Sequence, residues 1–79
     1  MRKNMRRYKY RVGDVVSLKV LGDYTYGVIL ERSKIRTEWT YENEYGMIIQ
    51  KSYMINGSST HKIYIYEEEI ISVIYRKDD

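Results

Sequence analysis

Val16, Leu18 and Val20 alternate with Ser17 and Lys19. That period of two predicts a half-buried strand over Val15–Val20. Val12-Gly13-Asp14 ahead of it reads as a turn, because glycine admits an unusual backbone angle and aspartate bonds its own backbone. Gly22-Asp23 reads as the next turn. Tyr24, Tyr26, Val28 and Leu30 fall in phase and predict a second strand over Tyr24–Glu31, with Gly27 read as a bulge or a bend. Residues 32–44 are polar and mixed. Within them Thr37, Trp39 and Tyr41 alternate with Glu38, Thr40 and Glu42, so part of this stretch reads as an extended hairpin arm.

Gly46–Ile55 is the third predicted strand. Asn56-Gly57 is the strongest hairpin signal, since both residues accept the positive φ of a type I′ turn. Ser58–Thr60 can widen that loop, which leaves the register open. Lys62–Tyr66 is the fourth strand, Glu67–Glu69 a single 3₁₀ turn, and Ile70–Tyr75 the fifth strand. A helix over 67–75 would be too short, and its Ile-Ile-Ser-Val-Ile run is largely β-branched.

The five strands and their turns account for one domain, in keeping with 79 residues. Composition strengthens the all-β reading. Alanine is absent, and so are proline, phenylalanine and cysteine, while tyrosine occurs ten times. The best helix former is missing and β-formers replace it. Without cysteine there is no disulfide and no thiolate metal site. No apolar run approaches the roughly 20 residues of a membrane span. The basic start is not followed by an apolar segment of the kind a secretory signal carries. A cytoplasmic chain with no membrane role is therefore expected.

Charge changes the picture more. The net charge is +3, yet residues 1–11 alone carry +6, and residues 12–79 carry −3. The expected organisation is a flexible basic arm over 1–11, a domain over 12–75 and a charged tail over 76–79.

Strands at this spacing, with glycine at the corners, point to a small closed or nearly closed barrel. The Val-Gly-Asp entry into the first strand, the long middle excursion and the 3₁₀ turn before the last strand resemble the SH3-like small barrel over about residues 12–75. The resemblance implies the architecture shared by KOW, Tudor and chromo-like modules and by signalling peptide binders, and fold does not choose among their functions. Ile63-Tyr64-Ile65-Tyr66 also resembles the Val-Gln-Ile-Tyr strand of type II dihydrofolate reductases, short SH3-like chains that tetramerise around a pore. Tyr64 stands where that family has its ligand-contacting glutamine, so reductase activity is not expected.

Three sets of side chains are candidates for function. Arg2, Lys3, Arg6, Arg7, Lys9 and Arg11, interleaved with Tyr8 and Tyr10, suit a polyanion: the cations neutralise phosphates and the rings stack on bases. The alternative is a solubilising tail, or pairing with the chain's own acids. Tyr24, Tyr26, Trp39, Tyr41, Glu42, Glu44 and Tyr45 form a candidate protein-binding surface, because so small a core cannot satisfy every phenol. Half-buried tyrosine pairs across strands would be the ordinary explanation. The acids Glu38, Glu42, Glu44 and Glu67–Glu69 read as a solvated face, with no calcium-loop spacing and no metal expected.

His61 is the only histidine. Its neighbours Ser58, Ser59 and Thr60 lie on a predicted loop that lacks the rigid support a catalytic set needs. The expectation is a non-enzymatic binding module, without cofactor, that contacts RNA or DNA through its basic arm. The alternative is a protein-binding module or inhibitor with an acidic aromatic surface, such as a phage or mobile-element accessory protein. Self-association into a homo-oligomer is a third possibility.

Overall fold

A computed structural model describes residues 7–51 and 59–77. The chain is all-β. Its strands are β1 (Val15–Val20), β2 (Asp23–Arg36), β3 (Tyr41–Lys51), β4 (Ser59–Tyr66) and β5 (Ile70–Tyr75), with a 3₁₀ turn at Glu67–Glu69 between the last two. They form one antiparallel sheet in the order β4-β3-β2-β1-β5. Among the described residues no ladder joins β4 to β5, so the sheet is not closed by hydrogen bonds into the expected ring. The Asn56-Gly57 turn and the expected end of the third strand at Ile55 lie outside the described residues.

The two-residue pleat sorts the side chains. Val16, Leu18, Ile29, Tyr45, Met47, Ile49, Ile65 and Ile70 point inward and form the core together with Tyr10. The opposite face carries Tyr24, Tyr26, Val28, Tyr64 and Tyr66 in solvent.

The β1–β2 connection is Leu21-Gly22, with φ of 51° and 87°. This is the left-handed pair of a tight hairpin whose twist matches the strands. Gly27 is not a bulge. It pairs in register with Val16 and Ile49, and a Cβ there would stand 2.6 Å from the Met47 sulfur. Its role is to leave room in the core. The bulge falls at Leu30, between Ile29 and Glu31.

β2 and β3 run on together beyond their expected limits to the pair Arg36 and Tyr41. The loop Thr37–Thr40 is closed by the Thr37 amide and hydroxyl donating to the Thr40 carbonyl at 2.7 and 2.8 Å. The Thr40 amide returns a bond to the Thr37 hydroxyl at 3.0 Å. Serine and threonine hydroxyls close turns in this way without glycine.

Candidate nucleic-acid interface

The end of the expected flexible arm is part of the fold. Tyr10 is 8% exposed and belongs to the core. The rings of Tyr8 and Tyr10 meet Tyr45 edge-on, at centroid distances of 5.9 and 5.5 Å. The backbone amides of Lys9 and Tyr10 donate to the Tyr45 hydroxyl at 3.1 and 3.3 Å. Chain 8–10 is therefore docked rather than free, because its apolar rings and its amides find partners only against the sheet. Arg2, Lys3 and Arg6 lie outside the described residues.

A carboxylate organises this docking. Glu67 Oε2 accepts from the Lys9 amide and from Asn43 Nδ2, each at 2.9 Å, and from the Tyr45 hydroxyl. Asn43 Nδ2 also donates to the Arg7 carbonyl at 3.0 Å. Glu67 was expected on a solvated acidic face, and the structure buries it instead. Burial is the strongest influence on its carboxyl and opposes ionisation. The bonds from Tyr45, Lys9 and Asn43, with the Lys9 charge, outweigh it and hold the group below the usual carboxylate range. Burial first, and the bond to Glu67 second, push the Tyr45 phenol well above its ordinary value. Tyr10 is raised by burial and by the Glu67 charge, with Arg76 opposing.

Tyr45 thus leaves the candidate protein-binding surface: its side chain is fully buried. Its phase with Met47 and Ile49 was the signal that marks it as inward-facing. Asn43 shares that phase and was also missed, since polar residues read as surface unless a partner is known.

With chain 8–10 docked, its cations gain neighbours. Arg32 and Lys34 lie on the β2–β3 extension on the same face as Tyr45 and Asn43. Both sit over the Tyr8 ring, at 4.5 and 4.4 Å from its centroid. Arg32 also donates to the Tyr10 carbonyl at 3.3 Å, and Lys34 to Asn43 Oδ1 at 2.6 Å. Arg7, Lys9, Arg11 and Arg32 are exposed and Lys34 is half-buried. The pleat sends Glu42 and Glu44 to the other face of the same hairpin, opposite Ile35 and Ser33. One face of the extension is therefore basic and the other acidic.

The remaining candidates are dispersed. Trp39 stands 87% exposed at the tip of the β2–β3 hairpin, while Tyr41, Glu42 and Glu44 are half-buried along it. Tyr24 and Tyr26 are at the far end of β2, beside β1. They do not form one patch with Trp39.

Asp14 does more than close its own turn. It is fully buried and accepts from the Arg11 amide at 3.0 Å and the Lys77 amide at 3.2 Å, with Arg76 at 3.8 Å. It ties both ends of the described chain to the start of β1. Among the described residues no three His, Asp or Glu side chains converge as a metal site would require. Compared with known proteins, the chain matches no family, no curated protein and no solved structure.

Proposed function

We propose that this chain is a non-enzymatic SH3-like small-barrel module that binds nucleic acid through a basic face. That face is built from the arm and the β2–β3 extension. The SH3-like reading is supported by the strand order, in which β5 follows a 3₁₀ turn and returns to pair with β1. The functional reading is carried by one observation: docking of residues 8–10 places the Tyr8 ring, between Arg7 and Lys9 in sequence, under the Arg32 and Lys34 side chains. Four further cations of residues 1–11, Arg2, Lys3, Arg6 and Arg11, extend the basic run in sequence. A continuous basic run of this kind suits a phosphate backbone, and its attraction is sequence-independent.

The test is the salt dependence of binding to single- and double-stranded RNA and DNA. Neutralising about four to six phosphates gives a slope of log K against log salt of about −3 to −5. An affinity that stays flat with salt contradicts the proposal. Trp39, 87% exposed at the hairpin tip, favours a second reading, a protein-binding module using Trp39, Tyr41, Glu42 and Glu44. Capture of a partner from nuclease-treated lysate, lost on Trp39→Ala with Tyr41→Ala, would support that reading.

A further inference from the structure

The outer face of the sheet carries rings where a solvated face ordinarily carries short polar side chains. Tyr24 and Tyr26 are 74% and 62% exposed, and Tyr64 and Tyr66 are 56% and 39% exposed. Each pair occupies alternate positions of one strand. Its members are therefore roughly 6.8 Å apart along the strand and point to the same side.

Two features of the sheet favour rings that present their faces. Gly46 lies opposite both Tyr64 and Glu31. A Cβ at Gly46 would stand 2.9 Å from Tyr64 Cε1, so the glycine lets the ring lie across the sheet. The Tyr64 hydroxyl donates to Glu31 at 3.2 Å. Each pair also has a lysine beside it. Lys19, opposite Tyr24, reaches 5.3 Å from its ring, and Lys62 does the same at Tyr64. Glu44 lies opposite Tyr66, and Glu31, beside Tyr64, is offset by its ion pair with Lys62, so the pair with no acid opposite it is Tyr24 and Tyr26.

We infer that this outer face is a base-stacking platform for single-stranded nucleic acid, with Tyr24 and Tyr26 as its principal rings and Lys19 as a phosphate contact. The inference rests on the nucleic-acid reading above and narrows it. Flat, sequence-tolerant stacking needs exposed rings on a rigid support with cations alongside. A duplex keeps its base faces covered by its own stacking, so only unpaired bases can use such a surface. A purely apolar partner would have no use for the flanking lysines.

The test separates bases from phosphates. The full chain is titrated with a thymidylate strand, an abasic strand of the same length and a duplex, at salt high enough to weaken phosphate contacts. The wild-type chain should bind the thymidylate strand about tenfold or more tighter than the abasic strand. Tyr24→Thr with Tyr26→Thr keeps β-branched residues on an exposed strand and should bring that ratio close to one. Tyr24→Phe with Tyr26→Phe keeps the rings and should preserve it.

Equal binding of base-bearing and abasic strands by the wild-type chain overturns the platform and leaves the phosphate reading standing. A ratio unchanged in the threonine variant also overturns it. No binding of any strand at this salt overturns the platform, and no binding at low salt either overturns both readings. A concentration-dependent dimer abolished by the threonine pair assigns the face to a second copy instead, and overturns the platform.

Discussion

Glu67 makes an interior out of polar parts. Its carboxylate has three donors among the described residues, and one of them is a backbone amide of the N-terminal segment. A buried acceptor of this kind is stabilising only while it stays ionised and paired. Its folded-state pKa lies below the ordinary value, so the native state binds fewer protons than the unfolded chain. The stability it contributes is present above the unfolded pKa of about 4.3 and is lost as pH falls through the folded value. Glu67→Gln should therefore lower stability near neutral pH by about 1–3 kcal/mol. It should also flatten the fall in stability toward acid, both read by urea unfolding across pH. An acid dependence as steep as that of the wild-type chain would contradict this role.

Leu21 is the other residue that departs from an ordinary environment. It is the only non-glycine residue at positive φ among those described, and it is 82% exposed. A branched side chain in the left-handed region is strained, and here burial offers little compensation. Leu21→Asn should raise stability by about 0.5–1 kcal/mol, seen as a higher urea midpoint.

At the scale of elements, glycine marks two different demands. Gly27→Ala drives a methyl into Met47 and Ile49 inside the core, 2.6 and 3.1 Å away. It should cost about 1–3 kcal/mol. Gly46→Ala meets Glu31 and Tyr64, side chains that are both exposed and can swing away. It should cost less than about 1 kcal/mol. Parallel urea unfolding of the two variants checks the order, and a larger loss at Gly46 would contradict it.

These elements were unevenly legible in the sequence. β1, β5 and the 3₁₀ turn have the limits their alternation and flanking residues predict. β2 and β3 run further because Arg32–Arg36 and Tyr41–Glu44 are mostly polar on both faces. Hydrophobic alternation vanishes there while backbone pairing continues. The docking of residues 8–10 is hidden in the sequence for a related reason. Six cations announce a solvated arm, and nothing in the local pattern reveals that Tyr10 reaches the core or that a distant glutamate accepts the Lys9 amide. Deleting residues 1–11 removes that core ring together with its amides. The deletion should destabilise the domain by about 3 kcal/mol or more, measured by urea unfolding. A truncated chain as stable as the intact one would show that the segment is dispensable.

The whole molecule presents two different surfaces, each combining charge with aromatic rings. Residues 7–10 and the inner side of the β2–β3 extension bring Arg32 and Lys34 over Tyr8, and the outer face of the sheet carries the exposed tyrosines. The candidate site was legible in kind, through the excess of cations in residues 1–11. It was not legible in place, because Arg32 and Lys34 join it only through the docking of Tyr8. That docking also dictates how the site should be probed: deletion would confound binding with unfolding, whereas a change of the Lys9 side chain keeps its amide bond to Glu67 and removes only a charge that helps hold Glu67 ionised.

The most direct test compares the intact chain with a variant in which Arg2, Lys3, Arg6, Arg7, Lys9 and Arg11 are all replaced by glutamine. Binding to RNA and DNA is measured across salt, with folding checked by circular dichroism. Steep salt dependence in the intact chain, with a slope of about −3 to −5 that collapses in the folded variant, is the predicted result. Equal affinity and equal slope in the two chains, or no binding by the intact one, would contradict a nucleic-acid module built on this basic face.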